Sequence, residues 1–326
     1  MNKMDTITVT MAGPSGVGKT SLLASMYSHI RDEAREHGCS FTASPAVINE
    51  LVEREEELKD FAEGPGLRVS RDLGPKPSQD KRVFGFNLHF ESGKVPDVPF
   101  EFIDLPGGWY ASGGDFDEAD RCVLASHVVV VAVDSWALME AGGKYNNKIN
   151  KPKQICEALQ RASDKLRPKD PRPLILFVLV KAEKYLHDDQ HDKLLTKAIS
   201  VYRPLVDPLV KNGYPVVGCA VETVGGVELH RIIEENGRPI GEFLRVTGGY
   251  KPKHCAIPLR LIFEIALSGT GGRIRTDGDF FEHLLGFFGV ETELKKNLKA
   301  HTELKEVAQK LSEKLKSEPL VWINKI

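Results

Sequence analysis

The stretch Gly13-Pro-Ser-Gly-Val-Gly-Lys-Thr20 constrains this 326-residue chain more than any other. Before it runs Ile7-Thr-Val-Thr-Met11, rich in β-branched residues. After it Leu22, Leu23, Met26, Tyr27 and Ile30 recur at helical spacing up to about Glu36. A glycine-rich loop between a strand and a helix predicts a β-loop-α unit that holds phosphate; an ordinary glycine turn with a surface lysine has no need of that setting. Gly13, Gly16 and Gly18 permit backbone conformations that a side chain would block, so the amides can curl around a β-phosphate. Lys19 sets a point charge against the β- and γ-phosphates, and the Thr20 hydroxyl is a hard oxygen ligand for Mg²⁺. Ser15, Val17 and Ser21 complete the run expected to line the phosphates, at a helix N-terminus that adds partial positive charge. Alone, the loop leaves three chemistries open: a switch that hydrolyses GTP, a motor fuelled by ATP, and a kinase with a small acceptor.

Downstream, residues 38–81 hold a charged helix candidate, 48-INELVEREEELKDF, and then a Gly/Pro-rich passage. From Val83 to Phe90, Phe84, Phe86, Leu88 and Phe90 alternate with Gly85, Asn87 and His89, a strand with one buried face. The short link ESGKVPDVP leads to Phe100-Glu-Phe-Ile-Asp104, so these two strands pair antiparallel, because a parallel crossover needs a dozen or more residues. Three further buried-strand runs, 128-VVVVAVD, 174-LILFVLV and 215-PVVGCAV, are separated by helical stretches near 153–166 and 188–211. Residues 258–267, PLRLIFEIAL, read as a helix packed on the sheet, with a buried strand as the alternative. The pattern predicts an α/β three-layer sandwich of the P-loop NTPase kind, its sheet mainly parallel with one antiparallel strand. This domain is expected over residues 1–270, with a helical insertion at about 38–81. A Lys-, Glu- and Leu-rich helical extension is expected over 271–326.

Asp104 ends an apolar strand and so places a carboxylate at the sheet edge beside the loop, able to hold Mg²⁺ directly or through water. Three residues on, the Gly107 backbone N–H can meet a γ-phosphate, so that loss of the γ-phosphate would release the chain that follows. The order of these parts, GPSGVGKT and then an antiparallel strand pair ending in Asp104-Leu-Pro-Gly107, resembles the translation-factor/Ras-like (TRAFAC) GTPases over residues 5 to 225. The combination of GPSGVGKTSLL, a long insertion and IDLPGG further resembles bacterial GTPases of multi-gene defence or conflict systems. The resemblance implies GTP and GDP with Mg²⁺ as ligands, with Lys19, Asp104 and Gly107 serving hydrolysis. It also implies a guanine site made by Val180-Lys-Ala-Glu183 and Cys219-Ala-Val221. There Lys181 would lie over the base, Glu183 would accept from the guanine N1 and N2 groups, and the Ala220 amide beside Cys219 would approach O6. Both stretches depart from the family pattern: Val180 lacks the usual bracing polar side chain, and Glu183 is one methylene longer than the expected Asp. A strand end entering a charged helix is the plainer reading of Lys181 and Glu183, and both readings stay open here.

Many relatives of this class orient the attacking water with a Gln directly after the glycine equivalent to Gly107. Here that position is Gly108, which predicts slow intrinsic hydrolysis aided by an activating protein, a second protomer or another residue. The first switch is expected before Val83, with Ser78 favoured over Ser70 as the Mg²⁺-ligating hydroxyl and with Arg68, Arg71 and Arg82 as weaker candidates for charge. Trp109 and Tyr110 are either partner anchors or packing under the switch, with packing favoured. A small-molecule kinase would need an acceptor site and an Arg-rich lid and has no use for Asp104-Leu-Pro-Gly107; a nucleotide-binding scaffold with little turnover is the remaining alternative. The net charge of -2 gives no strong nucleic-acid signal. Cys39, Cys122, Cys156, Cys219 and Cys255 form no C-x-x-C pair, which fits reduced, buried thiols. No apolar run is long enough to span a bilayer, and the start of the chain leaves no room for a signal peptide. A cytoplasmic, soluble protein with a protein partner reading its switch segments is therefore expected. His187 and His191 share a helical face but lack a third ligand, so zinc is not expected there.

Overall fold

The structure, a computed structural model, describes residues 6–36, 39–72, 80–90, 97–110, 115–167, 170, 172–236, 238–246, 248–269 and 321–323. Strand β1 (Ile7–Ala12) feeds the glycine-rich loop and helix α1 (Lys19–Glu36), as the sequence pattern requires. A short strand β2 (Cys39–Ala43) follows, and then α2 (Pro45–Glu63). Helix α2 starts where Ser44 accepts from the Val47 amide and Pro45 supplies a preset φ at the first helical position. Next come β3 (Arg68–Asp72), β4 (Arg82–Phe90) and β5 (Val98–Asp104), then a 3₁₀ turn at Gly107–Tyr110 and α3 (Phe116–Ala125). Strand β6 (Val128–Asp134) runs into the short helices α4 (Ser135–Met139) and α5 (Asn146–Ile149) and then α6 (Pro152–Asp164). The chain continues through β7 (Leu174–Val180), α7 (Glu183–His187), α8 (His191–Lys211) and β8 (Val216–Ala220). Last are β9 (Val227–Glu235), β10 (Arg238–Arg245), α9 (Ala256–Gly269) and β11 (Val321–Ile323).

The main sheet has eight strands in the order β11-β8-β7-β6-β1-β5-β4-β2. Strands β5, β1, β6, β7 and β8 are parallel neighbours, and β4 runs against β5. Because β6 and β7 are buried on both faces, their sequences are unbroken apolar runs rather than alternating ones. Their period of two then divides the core. Val128, Val130, Leu176 and Val178 face α1 and α9, while Val129, Val131, Ile175 and Phe177 face α3, α6 and α8. On β4, Phe84, Phe86 and Leu88 are buried and Gly85, Asn87 and His89 are exposed, the alternation expected from sequence. Residues 256–269 form the helix rather than the strand.

Three features depart from the sequence expectation. The insertion at 38–81 is not purely helical: β2 pairs antiparallel with β4, extending the sheet, and β3 joins a separate three-stranded sheet in the order β3-β10-β9. The hairpin β9–β10 lies in a region that carried no expectation at all. Within the stretch expected to be a helical extension, Val321–Ile323 instead forms β11 and pairs antiparallel with β8, so a second strand runs against the sheet. The helical candidates between 280 and 316 lie outside the described residues. Among the described residues no helix is long and apolar enough to cross a membrane.

The small sheet is fastened to the main body. Phe243 of β10 is fully buried, with ring centroids 5.2 Å from Phe61 of α2 and 4.7 Å from Trp136 of α4. The Arg245 guanidinium donates to the carbonyls of Phe61 (3.0 Å), Pro65 (2.7 Å) and Gly66 (2.8 Å), tying the exit of α2 to β10.

Candidate nucleotide site

The carboxyl ends of β1, β5, β6 and β7 and the loop after β8 converge where open α/β sheets bind ligands. Gly18 stands at φ +116, a conformation that an L side chain rarely adopts, and this turns the loop into the first turn of α1. Lys19 is almost fully buried. Its Nζ donates to the carbonyls of Gly13 (3.0 Å) and Pro14 (3.3 Å) and lies 3.6 Å from Asp104 Oδ1. Burial pulls the Lys19 ammonium below its ordinary pKa, opposed by the charge and hydrogen bonding of Asp104. A cation so poorly solvated is primed to gain from an incoming phosphate.

Thr20 Oγ1 donates to Asp104 Oδ2 at 2.8 Å, so the two expected Mg²⁺ ligands already meet. Asp104 Oδ1 is buried without a hydrogen-bond donor. A hydroxyl beside a carboxylate oxygen that makes no hydrogen bond, with the Lys19 ammonium 3.6 Å away, suits a hard cation that takes its remaining ligands from phosphates and water. No cluster of three or more His, Cys, Asp or Glu side chains that could hold a metal by themselves occurs among the described residues. Ser78, the other expected ligand, lies outside the described residues. Ser70, the second choice, is exposed on β3, paired with Glu242 in the small sheet rather than placed on the main one. Arg82 is engaged by Glu50 at 2.7 Å, and Arg68 is exposed on β3.

Gly107 sits directly on the phosphate loop. A Cβ there would stand 1.9 Å from Ser15 N and 2.4 Å from the Pro14 carbonyl carbon, so only glycine allows this approach. Gly108 is exposed, and a Cβ added to it meets nothing within 4 Å. Trp109 packs back against the core beneath α3 and α6, the favoured expectation for that residue.

On the base side, Lys181 follows β7 with φ +58, and its side chain runs along the loop: a Cβ on Gly18 would touch Lys181 Cε at 3.7 Å. Its ammonium binds Asp134 and lies 4.9 Å from the centroid of the Trp136 ring. Glu183 is 1 % exposed. Its Oε1 accepts from the amides of Val224 (2.8 Å) and Gly225 (3.4 Å) and from Thr223 Oγ1 (3.5 Å), while Oε2 is buried without a partner. Burial raises the Glu183 carboxyl to about 7, against the pull of those amides. Cys219 and Ala220 do not meet Glu183. Both lie within β8 with their side chains fully buried in the core, and the residues brought to Glu183 come three to six positions later, in Thr223-Val224-Gly225. The signal that would have found them is the Thr-Val-Gly-Gly after the strand, since a glycine pair marks where a strand yields to a loop.

A phosphate loop after β1, an acidic strand end paired with its threonine, and a glycine seated on the loop are together the parts of a P-loop nucleotide site. The sequence model of the Double-GTPase 2 family matches residues 7–201, more than half of the chain, and the chain belongs to that family. It is accordingly a GTP-binding protein and a hydrolase by class. No curated protein matches the sequence. Among solved structures, the chain is similar to the GTP-bound GTPase-like domain of S. cerevisiae Ski7, at 14% identity and a TM-score of 0.38, over 67% of this chain and 43% of that one. It is also similar to LeoA, a bacterial dynamin GTPase from ETEC, at 14% identity and a TM-score of 0.34, over 96% of this chain and 41% of that one. The chain thus spans less than half the length of either structure.

Proposed function

We propose that the chain binds GTP with Mg²⁺, hydrolyses it slowly to GDP and phosphate, and uses the change to alter what a protein partner reads on residues 107–118. The observation that carries this reading is the seat of Gly107 on Ser15. A γ-phosphate held by Lys19, Thr20 and a Mg²⁺ on Asp104 would lie beside that contact, so its loss bears directly on the segment that follows. Slow turnover follows from Gly108, where no side chain is present to orient water; the help would come from the partner or a second protomer. Such a partner would read the exposed start of α3, where Phe116 stacks under the Arg161 guanidinium at 4.7 Å.

A scaffold that binds GTP with little turnover is the second reading, favoured by the same open space at Gly108. Single-turnover hydrolysis by the purified chain, with Lys19→Ala as the binding control, separates the two. Slow release of phosphate without any acceptor supports the switch, and retention of intact GTP over many hours supports the scaffold. A rate already in the range of activator-stimulated GTPases would sink the proposed need for help. Competition of labelled GTP by unlabelled ATP as strongly as by unlabelled GTP would remove the guanine assignment.

A further inference from the structure

Lys181 holds a left-handed backbone conformation, φ +58, that is unfavourable for a residue with a side chain. The residue before it, Val180, has no polar group with which to brace the turn. The neighbouring strand supplies the brace instead. Ser135 Oγ donates to the Val180 carbonyl at 2.7 Å, the Asp134 carboxylate binds the Lys181 ammonium, and the Trp136 ring lies against that ammonium at 4.9 Å. Three consecutive residues at the end of β6 and the start of α4 thus all engage the Val180-Lys181 corner.

Asp134 is itself fixed from every side. It is 1 % exposed, and its Oδ1 accepts from the Ala137 amide at 2.9 Å, capping α4. Its backbone N–H donates to Asn150 Oδ1 at 2.8 Å, and its carbonyl accepts from Asn150 Nδ2 at 2.9 Å. A helix cap needs only one oxygen, and Ser, Thr or Asn would provide it. The second oxygen of Asp134 supplies what those residues cannot, a buried negative charge against a lysine that lies along the phosphate loop at Gly18.

We infer that Asp134 is a positioning residue for nucleotide binding: it holds Lys181 along the phosphate loop, where the side chain supports the guanine and ribose. This rests on the reading of Lys181 as the residue beneath the base. Asp134 touches no ligand and acts through Lys181, with Ser135 fixing the carbonyl that precedes it. The device takes over the task of the polar side chain that position 180 lacks.

Asp134→Asn tests the inference, because the amide oxygen keeps the α4 cap while the oxygen that binds Lys181 becomes an uncharged N–H donor that cannot accept from the ammonium. Affinity is measured for two ligands: GDP, which carries the base, and inorganic tripolyphosphate, which uses the phosphate loop alone. Asp134→Asn is expected to weaken GDP about tenfold, the scale of one charge-assisted hydrogen bond, and to leave tripolyphosphate unchanged. In a Lys181→Ala background the same substitution should weaken GDP no further, which a merely structural role would not produce. Unchanged GDP affinity overturns the inference. So does a parallel loss for both ligands, or an undiminished effect without Lys181. If Lys181→Ala alone leaves GDP binding intact, the base-side reading of Lys181 has failed and the inference falls with it, a result distinct from failure at Asp134. Should Asp134→Asn not fold, Ser135→Ala with the same pair of ligands decides.

Discussion

Gly107 and Gly108 are adjacent but face opposite constraints. The first has Ser15 N 1.9 Å from where a Cβ would lie; the second has nothing within 4 Å. Gly107→Ala must push the acidic strand end away from the loop, and we expect at least a tenfold loss in single-turnover GTP hydrolysis, on the order of the cost of a misplaced catalytic group. Gly108→Gln fits without displacement and offers an amide to a water, so we expect hydrolysis about tenfold faster, less than the roughly hundredfold or more of a fully positioned group because nothing in contact would hold the new side chain. Glu183 gives a pH signature. In the ligand-free protein its carboxyl titrates near 7 rather than 4.5, so it keeps its proton well above the usual range. The folded state therefore binds more protons than the unfolded state between these values, and this group's contribution to stability declines as pH rises through that window. If guanine N–H groups donate to Glu183, binding needs the charged form. GDP affinity should then fall below pH 7, approaching tenfold per unit, and Glu183→Gln should flatten the profile; titration calorimetry from pH 5.5 to 8 reads both. Lys19, Thr20, Asp104 and Gly107 were legible in the sequence because their spacing is tied to backbone geometry that few residues permit. Thr223 and Val224 were not, because finding them requires knowing where β8 ends.

At the scale of elements, legibility followed how far each segment carries its own pattern. Strands β1, β6, β7 and β8 are apolar enough to announce themselves, and β4 shows its alternation. By contrast, β3 is Arg-Val-Ser-Arg-Asp, a string whose strand identity comes from its partner β10 and not from its composition. The hairpin β9–β10 did carry a signal, Asn236-Gly237 between alternating residues, which is a strong short-range hairpin cue. Strand β11 is a three-residue apolar run that acquires its structure by completing the free edge of β8. What makes the small sheet more than an ornament is Phe243, wedged between Phe61 and Trp136 with no exposed surface. Truncation to alanine should cost about 3–5 kcal/mol, as for other buried aromatics, read as a lower urea midpoint with unchanged slope. Because Trp136 also backs Lys181, Phe243→Ala should loosen GDP binding as well as the fold, whereas an equally buried substitution in α6, such as Leu159→Ala, should affect stability alone.

Across the whole molecule, the small sheet joins two ends that are distant in sequence, the insertion after α1 and the base-side loop after β8. Strand β3 belongs to the insertion between α1 and β4, the span expected to hold the first switch. Strand β9 leaves directly from the loop whose Thr223-Val224-Gly225 groups are held by Glu183. Between them, β10 pairs with both, and Arg245 at its end holds three carbonyls at the exit of α2. A ligand that orders the base-side loop therefore also orders the root of the hairpin to which the insertion is stitched, a mechanical route between the two ends that needs no contact between them. Arg245 is the point at which to cut it, since a guanidinium donating to three carbonyls cannot be replaced by a neighbouring side chain. Hydrogen exchange reads the outcome directly. In the wild type, GDP should slow exchange at the amides of Arg68–Asp72 as well as at Val224 and Gly225. In Arg245→Ala, protection at Val224 and Gly225 should persist while that at Arg68–Asp72 falls to the ligand-free level. Equal protection of β3 in both proteins would show that the insertion responds to nucleotide by another path.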